Sequence, residues 1–131
     1  MISLQYILDT YAWIEYFIGS KKGAIVRNIL ENPYNRFTTL HSSVAELHEW
    51  CLKEGRDFEK LFGIIRVSSS IEPITLENWI EATSIKYEMR KKIKDFGLID
   101  AIILAKQKEF KCRIITGDKH FEKLKNVEFL K

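Results

Sequence analysis

The chain alternates between short apolar runs and amphipathic stretches. Leu4-Gln5-Tyr6-Ile7-Leu8 has the character of a short strand, and Asp9-Thr10 then opens an apolar-rich segment, Tyr11 to Ile18, that closes at Gly19-Ser20. The pattern predicts a strand, a turn and a helix. From Lys22 to Glu31, Ile25, Val26, Ile29 and Leu30 recur at helical intervals until Asn32-Pro33, and Arg36 to Thr39 reads as the next strand. A helix from about Ser42 or Ser43 toward Gly55 carries Val44, Leu47 and Leu52. A further helical stretch, about Phe58 to Ile65, leads into a β-branched segment, Val67 to Ile74, whose Pro73 marks an edge strand or a strand end. Leu76 to Lys92 is the longest amphipathic segment, with Trp79, Ile80, Thr83 and Tyr87 at helical spacing and positive charge at its end. Beyond the Lys94 to Gly97 loop, Leu98 to Phe110 is apolar in its first half and basic in its second. Arg113 to Thr116 reads as a buried strand, Gly117-Asp118 as a turn, Lys119 to Leu124 as a short helix and Val127 to Leu130 as a last strand. Strands alternating with helices predict an α/β fold with a mainly parallel sheet, joined by right-handed crossovers and covered by helices on both faces.

A length of 131 residues fits one domain, and 46% hydrophobic with 30% charged residues is the composition of a soluble globular protein. No apolar run is long enough for a membrane span, and Gln5, Asp9 and Glu15 interrupt the first apolar stretch as they would not in an export signal. A cytoplasmic location with no membrane partner is the resulting expectation. Cys51 and Cys112 stand far apart, without the close spacing of a zinc or redox motif, and read as small reduced core residues.

Four carboxylates carry the candidate chemistry. In open α/β sheets ligands gather beyond the carboxyl ends of the strands. Asp9 directly follows one strand and Asp118 follows another by a single glycine. Each can equally serve as the cap of the helix it precedes. Glu46 completes a capping-box pattern, Ser43-Val44-Ala45-Glu46, and Glu49, one turn further on, shares its helix face. Asp100 is harder to explain structurally. It lies in Leu98-Ile99-Asp100-Ala101-Ile102-Ile103-Leu104-Ala105, where helical geometry supplies apolar neighbours and no cation. An ionised carboxylate there needs a metal or a basic group from elsewhere in the fold, or it takes up a proton.

Clustered carboxylates repel one another, and a divalent cation reverses that penalty. All-oxygen ligands favour Mg2+ or Mn2+ over zinc, and such an ion suits phosphodiester hydrolysis by activated water. Setting the four acids aside leaves 18 less 4, or 14, acidic residues against 21 basic ones, a surface able to attract a polyanion.

Leu8-Asp9-Thr10 with Ala12-Trp13-Ile14-Glu15, then Ser43-Val44-Ala45-Glu46, then Leu98 to Ala105, then Ile115-Thr116-Gly117-Asp118-Lys119-His120-Phe121, resemble in order the motifs of PIN domains, and more narrowly those of VapC-type toxins. The resemblance spans almost the whole chain. It implies one PIN domain over residues 1–131, a three-layer sandwich with a central mainly parallel sheet. It also implies an endoribonuclease using Mg2+ or Mn2+, with Asp9, Glu46, Asp100 and Asp118 as the acidic quartet and Thr10 and Thr116 as supporting hydroxyls. Homodimers, and silencing by a cognate antitoxin protein, are further implications. Gly117 departs from the pattern, since an arginine or other larger residue is common there, and the departure leaves open how Asp118 is aimed.

A housekeeping PIN nuclease without an antitoxin carries the same motifs. A PIN-like module that binds RNA or protein without cutting it needs none of the acids. A phosphorylated receiver domain, which also places an Asp after its first strand, fits Leu8-Asp9-Thr10 and Thr116-Gly117-Asp118 poorly. Arg90, Lys91, Lys92 and Lys94 form the densest basic run, either a solvated helix end or an RNA-binding surface beside the pocket. His41, His48 and His120 are left outside the candidate site, and Trp13, Tyr16 and Phe17 are assigned to the core or a subunit interface.

Overall fold

The computed structural model describes residues 4–131. Five strands, β1 (Gln5–Leu8), β2 (Arg36–Leu40), β3 (Ser70–Glu72), β4 (Arg113–Thr116) and β5 (Val127–Phe129), form one sheet in the order β3-β2-β1-β4-β5. Every neighbouring pair is parallel. The helices are α1 (Thr10–Ile18), α2 (Lys21–Leu30), α3 (His41–Glu54), α4 (Phe58–Ser68), α5 (Leu76–Met89) and α6 (Leu98–Phe110), and a 3₁₀ turn spans Lys119–Phe121. No helix among the described residues is long and apolar enough to cross a membrane.

Side-chain alternation along the strands divides the core into two layers. Tyr6 and Leu8 of β1 and Ile115 of β4 face one side, where they pack with Trp13, Val26, Leu47 and Ile65 from α1 to α4. Ile7 and Ile114 face the other side and meet Ala82, Phe96, Ile102 and Phe121 beside α5 and α6. The three-layer architecture expected from the sequence is therefore the observed one. Trp13 belongs to the core, fully buried, with its indole N–H donating to Thr39 Oγ1 at 3.0 Å.

From β1 the chain builds outward through β2 and β3, then returns across the sheet to add β4 and β5 on the other side. The order reverses between β1 and β4, and the crevice beyond their carboxyl ends is where such sheets bind ligands.

Three local expectations change. The β-branched run after Ile65 does not form a strand from Val67. Leu61 and Ile65 bury at helical spacing, so α4 continues to Ser68 and leaves Val67 90% exposed. Ser69 ends the helix by bonding Ile65 O through both its N–H and its hydroxyl, and β3 is an edge strand of only three residues followed by Pro73. The capping box at Ser43 is absent, because α3 begins at His41 and Ser43 is buried inside it. In α5 the inward face carries Asn78, Trp79, Ala82, Ile85 and Met89, leaving Leu76, Ile80 and Tyr87 exposed. Apolar residues surround that helix, so spacing alone cannot select its buried face.

Helices α1 and α2 approach so closely that a Cβ at Gly23 would lie 2.0 Å from the backbone oxygen of Glu15. Backbone cannot swing aside as a flexible side chain can. Gly23→Ala is therefore expected to destabilise the fold by about 1–3 kcal/mol, read as a lower thermal midpoint. An unchanged midpoint would show that the two helices separate without cost.

Candidate active site

Asp9 lies at the carboxyl end of β1 and caps α1, its Oδ1 accepting the Ala12 N–H at 2.8 Å. Its Oδ2 accepts the hydroxyl of Thr116, the last residue of the neighbouring β4. Thr116 Oγ1 in turn accepts the Asp118 N–H at 3.0 Å, and Asp118 Oδ1 accepts the His120 N–H at 2.9 Å. The His120 ring closes the series, with Nδ1 2.8 Å from Asp100 Oδ2 and 3.7 Å from Asp118 Oδ1. Asp9 and Asp100 thus stand at the two ends of one hydrogen-bonded chain, and Asp118 lies within it. Glu46 reaches the same neighbourhood from α3, its Oε1 accepting the Thr10 hydroxyl at 2.6 Å beside Asp9.

Capping and clustering are compatible here. Asp100 is the third residue of α6 and accepts the Gly97 N–H at 2.9 Å, so it sits in the first turn, partly exposed, and not in an apolar helix interior. The basic group that its position demands is His120, twenty residues away in sequence. His120 is the site residue that sequence reasoning missed. Its place two residues after Asp118, in the turn leaving β4, was the available signal. Glu49 takes no part, being exposed and facing Lys53 at 3.7 Å.

The electrostatics are one-sided. Burial chiefly, with the charges of Asp118 and Glu46 adding to it and the bonds from Thr116 and Ala12 opposing, raises Asp9 to about 7. Burial pulls His120 down, but its bond to Asp100 and the charges of Asp118, Asp100 and Asp95 outweigh that and leave its pKa raised. Among the described residues no lysine or arginine pairs with any of the four acids. One oxygen each of Asp100, Asp118 and Glu46 accepts no hydrogen bond there. Ligand atoms of Asp100, Asp118 and His120 all lie within 4.8 Å of one another. Asp100 and Asp118, each with an oxygen left over and no lysine or arginine paired to it, fit a hard divalent ion, whereas Glu46 and Asp9 stand outside that closest group.

Gly117 has a specific neighbour. A Cβ there would meet the Tyr11 ring at 2.2 Å, so the phenol of α1 occupies the space a larger residue would fill. Asp118 is instead aimed by Thr116 on one side and His120 on the other. In the basic run, Arg90 Nε donates to Phe96 O at 2.8 Å and Lys91 pairs with Glu88 at 3.1 Å, whereas Lys92 and Lys94 are exposed. Arg90 thereby braces the loop that leads to Gly97 and Asp100, a structural task its sequence position did not reveal.

A family model described as PIN domain matches residues 6–127, from β1 into β5, and takes in all four acids. The chain belongs to the PIN-domain family. No curated protein matches it. Among solved structures, this PIN domain is similar to a toxin-antitoxin complex from Klebsiella pneumoniae, with 20% identity, 96% of this chain and 98% of that one covered, and a TM-score of 0.74. It is also similar to VapC20 of Mycobacterium tuberculosis, a sarcin-ricin loop cleaving toxin, with 14% identity, coverage of 96% and 99%, and a TM-score of 0.77. VapBC2 from Rickettsia felis bound to a promoter DNA fragment matches with 15% identity, coverage of 98% and 100%, and a TM-score of 0.73. At these identities the likeness is one of fold, and it extends over 98–100% of each of those chains.

Proposed function

We propose that this PIN domain, acting as a single domain over residues 1–131, is an endoribonuclease that hydrolyses RNA phosphodiester bonds with Mg2+ or Mn2+ held by Asp9, Glu46, Asp100 and Asp118. The observation that carries the reading is the chain of bonds from Asp9 through Thr116, Asp118 and His120 to Asp100, which links three of the acids without a lysine or arginine on any of them, with Glu46 joined to Thr10 beside Asp9. Bound there, the ion would supply a nucleophilic water at neutral pH and charge stabilisation at the leaving oxygen. Thr116 and Thr10 hold Asp9 and Glu46 in place through their hydroxyls. His120 holds Asp100 and Asp118 toward the same centre, and the two carboxylates favour its protonated form. Exposed Lys92 and Lys94, with Arg90 and Lys91 beside them, offer the RNA backbone a positive approach to the loop before Asp100.

The similarity to VapC20 and to the toxin-antitoxin complexes supports the role of a cytoplasmic toxin opposed by a cognate antitoxin. Leu76, Ile80 and Tyr87 exposed along α5 support a homodimer, and Leu52, Ile64 and Val67 exposed on α3 and α4 support a protein partner.

Purified protein incubated with a single-stranded RNA and with DNA of the same sequence tests the reading. RNA is expected to be cut in Mn2+, left intact in excess chelator, and cut again when Mn2+ is restored. Cleavage that ignores the chelator would refute the metal mechanism. Intact RNA under every divalent condition would leave a binding module.

A further inference from the structure

Beside Asp118 lies an open pocket of about 600 Å³ whose lining includes Tyr11, Lys22, Lys119, Glu122 and Lys131. Of the four acids only Asp118 lines it. Tyr11 comes from the first turn of α1 and Lys22 from the start of α2, and the Lys22 ammonium donates to the Tyr11 hydroxyl oxygen at 2.9 Å. Accepting that bond leaves the phenolic hydrogen of Tyr11 free to be donated in turn. The pair therefore presents O–H and N–H donors together. The Tyr11 ring is also fixed in place. It fills the space above Gly117, the residue directly before Asp118, where even a methyl group would collide with it at 2.2 Å. Lys119, from the 3₁₀ turn that Asp118 caps, lines the same pocket and brings a second basic side chain to it. A paired O–H and N–H donor next to a carboxylate centre calls for an anion that extends away from that centre.

We propose that Tyr11, Lys22 and Lys119 form a phosphate subsite, which binds a phosphodiester of the RNA strand next to the one being cut. The inference rests on the nuclease reading and adds to it a substrate-binding pair on α1 and α2, a region remote in sequence from the basic run at Arg90. The subsite positions the strand, so its removal weakens substrate binding and leaves the chemical step in place. A bound phosphate is held here by charge and by the phenolic O–H jointly.

The test measures steady-state cleavage of a short single-stranded RNA in Mn2+ by wild type, Tyr11→Phe and Lys22→Gln. KM is expected to rise about threefold for Tyr11→Phe and about tenfold for Lys22→Gln, with kcat within about twofold of wild type. The slope of log affinity against log salt should also fall by about 0.7 for Lys22→Gln, as loss of one phosphate contact on a single strand requires. Circular dichroism and Mn2+ affinity unchanged from wild type confirm that each variant is folded with its metal site intact. Active wild type with KM and salt slope unaltered in both variants would overturn the subsite alone. Wild type that neither binds nor cuts RNA would overturn the nuclease reading, and the subsite with it.

Discussion

Asp9→Asn is expected to lower RNA cleavage by more than about a hundredfold while raising the thermal stability of the metal-free protein at pH 8. Changes to groups behind a metal's direct ligands already cost about 10- to 100-fold in affinity or activity, so loss of a ligand should cost more. The gain in stability follows from the same residue. Asp9 is 5% exposed, and burial together with the charges of Asp118 and Glu46 raises its folded pKa to about 7 from an ordinary 3.8. An acid whose pKa rises on folding contributes its full stability below the unfolded value and loses it as pH climbs through the folded one. A rise of about three units corresponds to a loss on the order of 4 kcal/mol by pH 8. The favourable placement of a carboxylate at the N-terminus of α1 contributes only about 0.3–1 kcal/mol in the other direction.

Asparagine carries no charge to bury and can still accept the Ala12 N–H through its carbonyl oxygen. Its amide can donate to Thr116, whose hydroxyl is able to reverse roles. In chelator at pH 8 the variant should therefore melt several degrees above wild type, and the gap should close as pH falls below about 4. Saturating Mn2+ should reverse the order at pH 8, because the wild type gains the larger binding energy on folding. A variant that melts lower than wild type in chelator at pH 8 would show that Asp9 is chiefly a structural cap. Cleavage retained by the variant would remove it from the quartet.

Much of this arrangement was legible in the letters, for identifiable reasons. Strands β1 and β4 are buried apolar runs, and a turn residue directly after such a run has only the sheet's carboxyl edge to occupy, which placed Asp9 and Asp118 correctly. The alternation of strands with helices conveyed the parallel sheet. What stayed hidden depends on contacts between distant segments. Asp100 looked isolated because its partner, His120, belongs to the turn after β4. The box at Ser43 matched a local pattern, but tertiary packing starts α3 two residues earlier and turns Glu46 toward Thr10. Gly117 read as an irregularity until Tyr11 was seen to fill its space. The buried face of α5 was not deducible either, since Ile80 and Tyr87 are as apolar as the residues that pack inward.

Affinity for Mn2+ is expected to climb steeply with pH, by up to about 100-fold per unit between pH 5.5 and 6.5, and to level off once both opposing protons have been lost. Two protons stand in the way of the ion. One is on Asp9, whose pKa burial raises to about 7, and the other on His120, whose pKa is raised by Asp100, Asp118 and Asp95 despite the opposing effect of burial. Below both values each must leave before the carboxylates can face a cation, and each displaced proton contributes up to about tenfold per pH unit. Above both values neither opposes binding, hence the plateau. Calorimetric titration at pH 6 in buffers of different ionisation enthalpy should count close to two protons released per ion. His120→Gln removes one of them, so its slope should halve and its affinity at pH 6 should exceed that of wild type. The imidazolium that Asp100 and Asp118 favour is, on this account, the ion's direct competitor. Affinity that does not vary with pH, or an unaltered slope in His120→Gln, would show that the cation sits elsewhere.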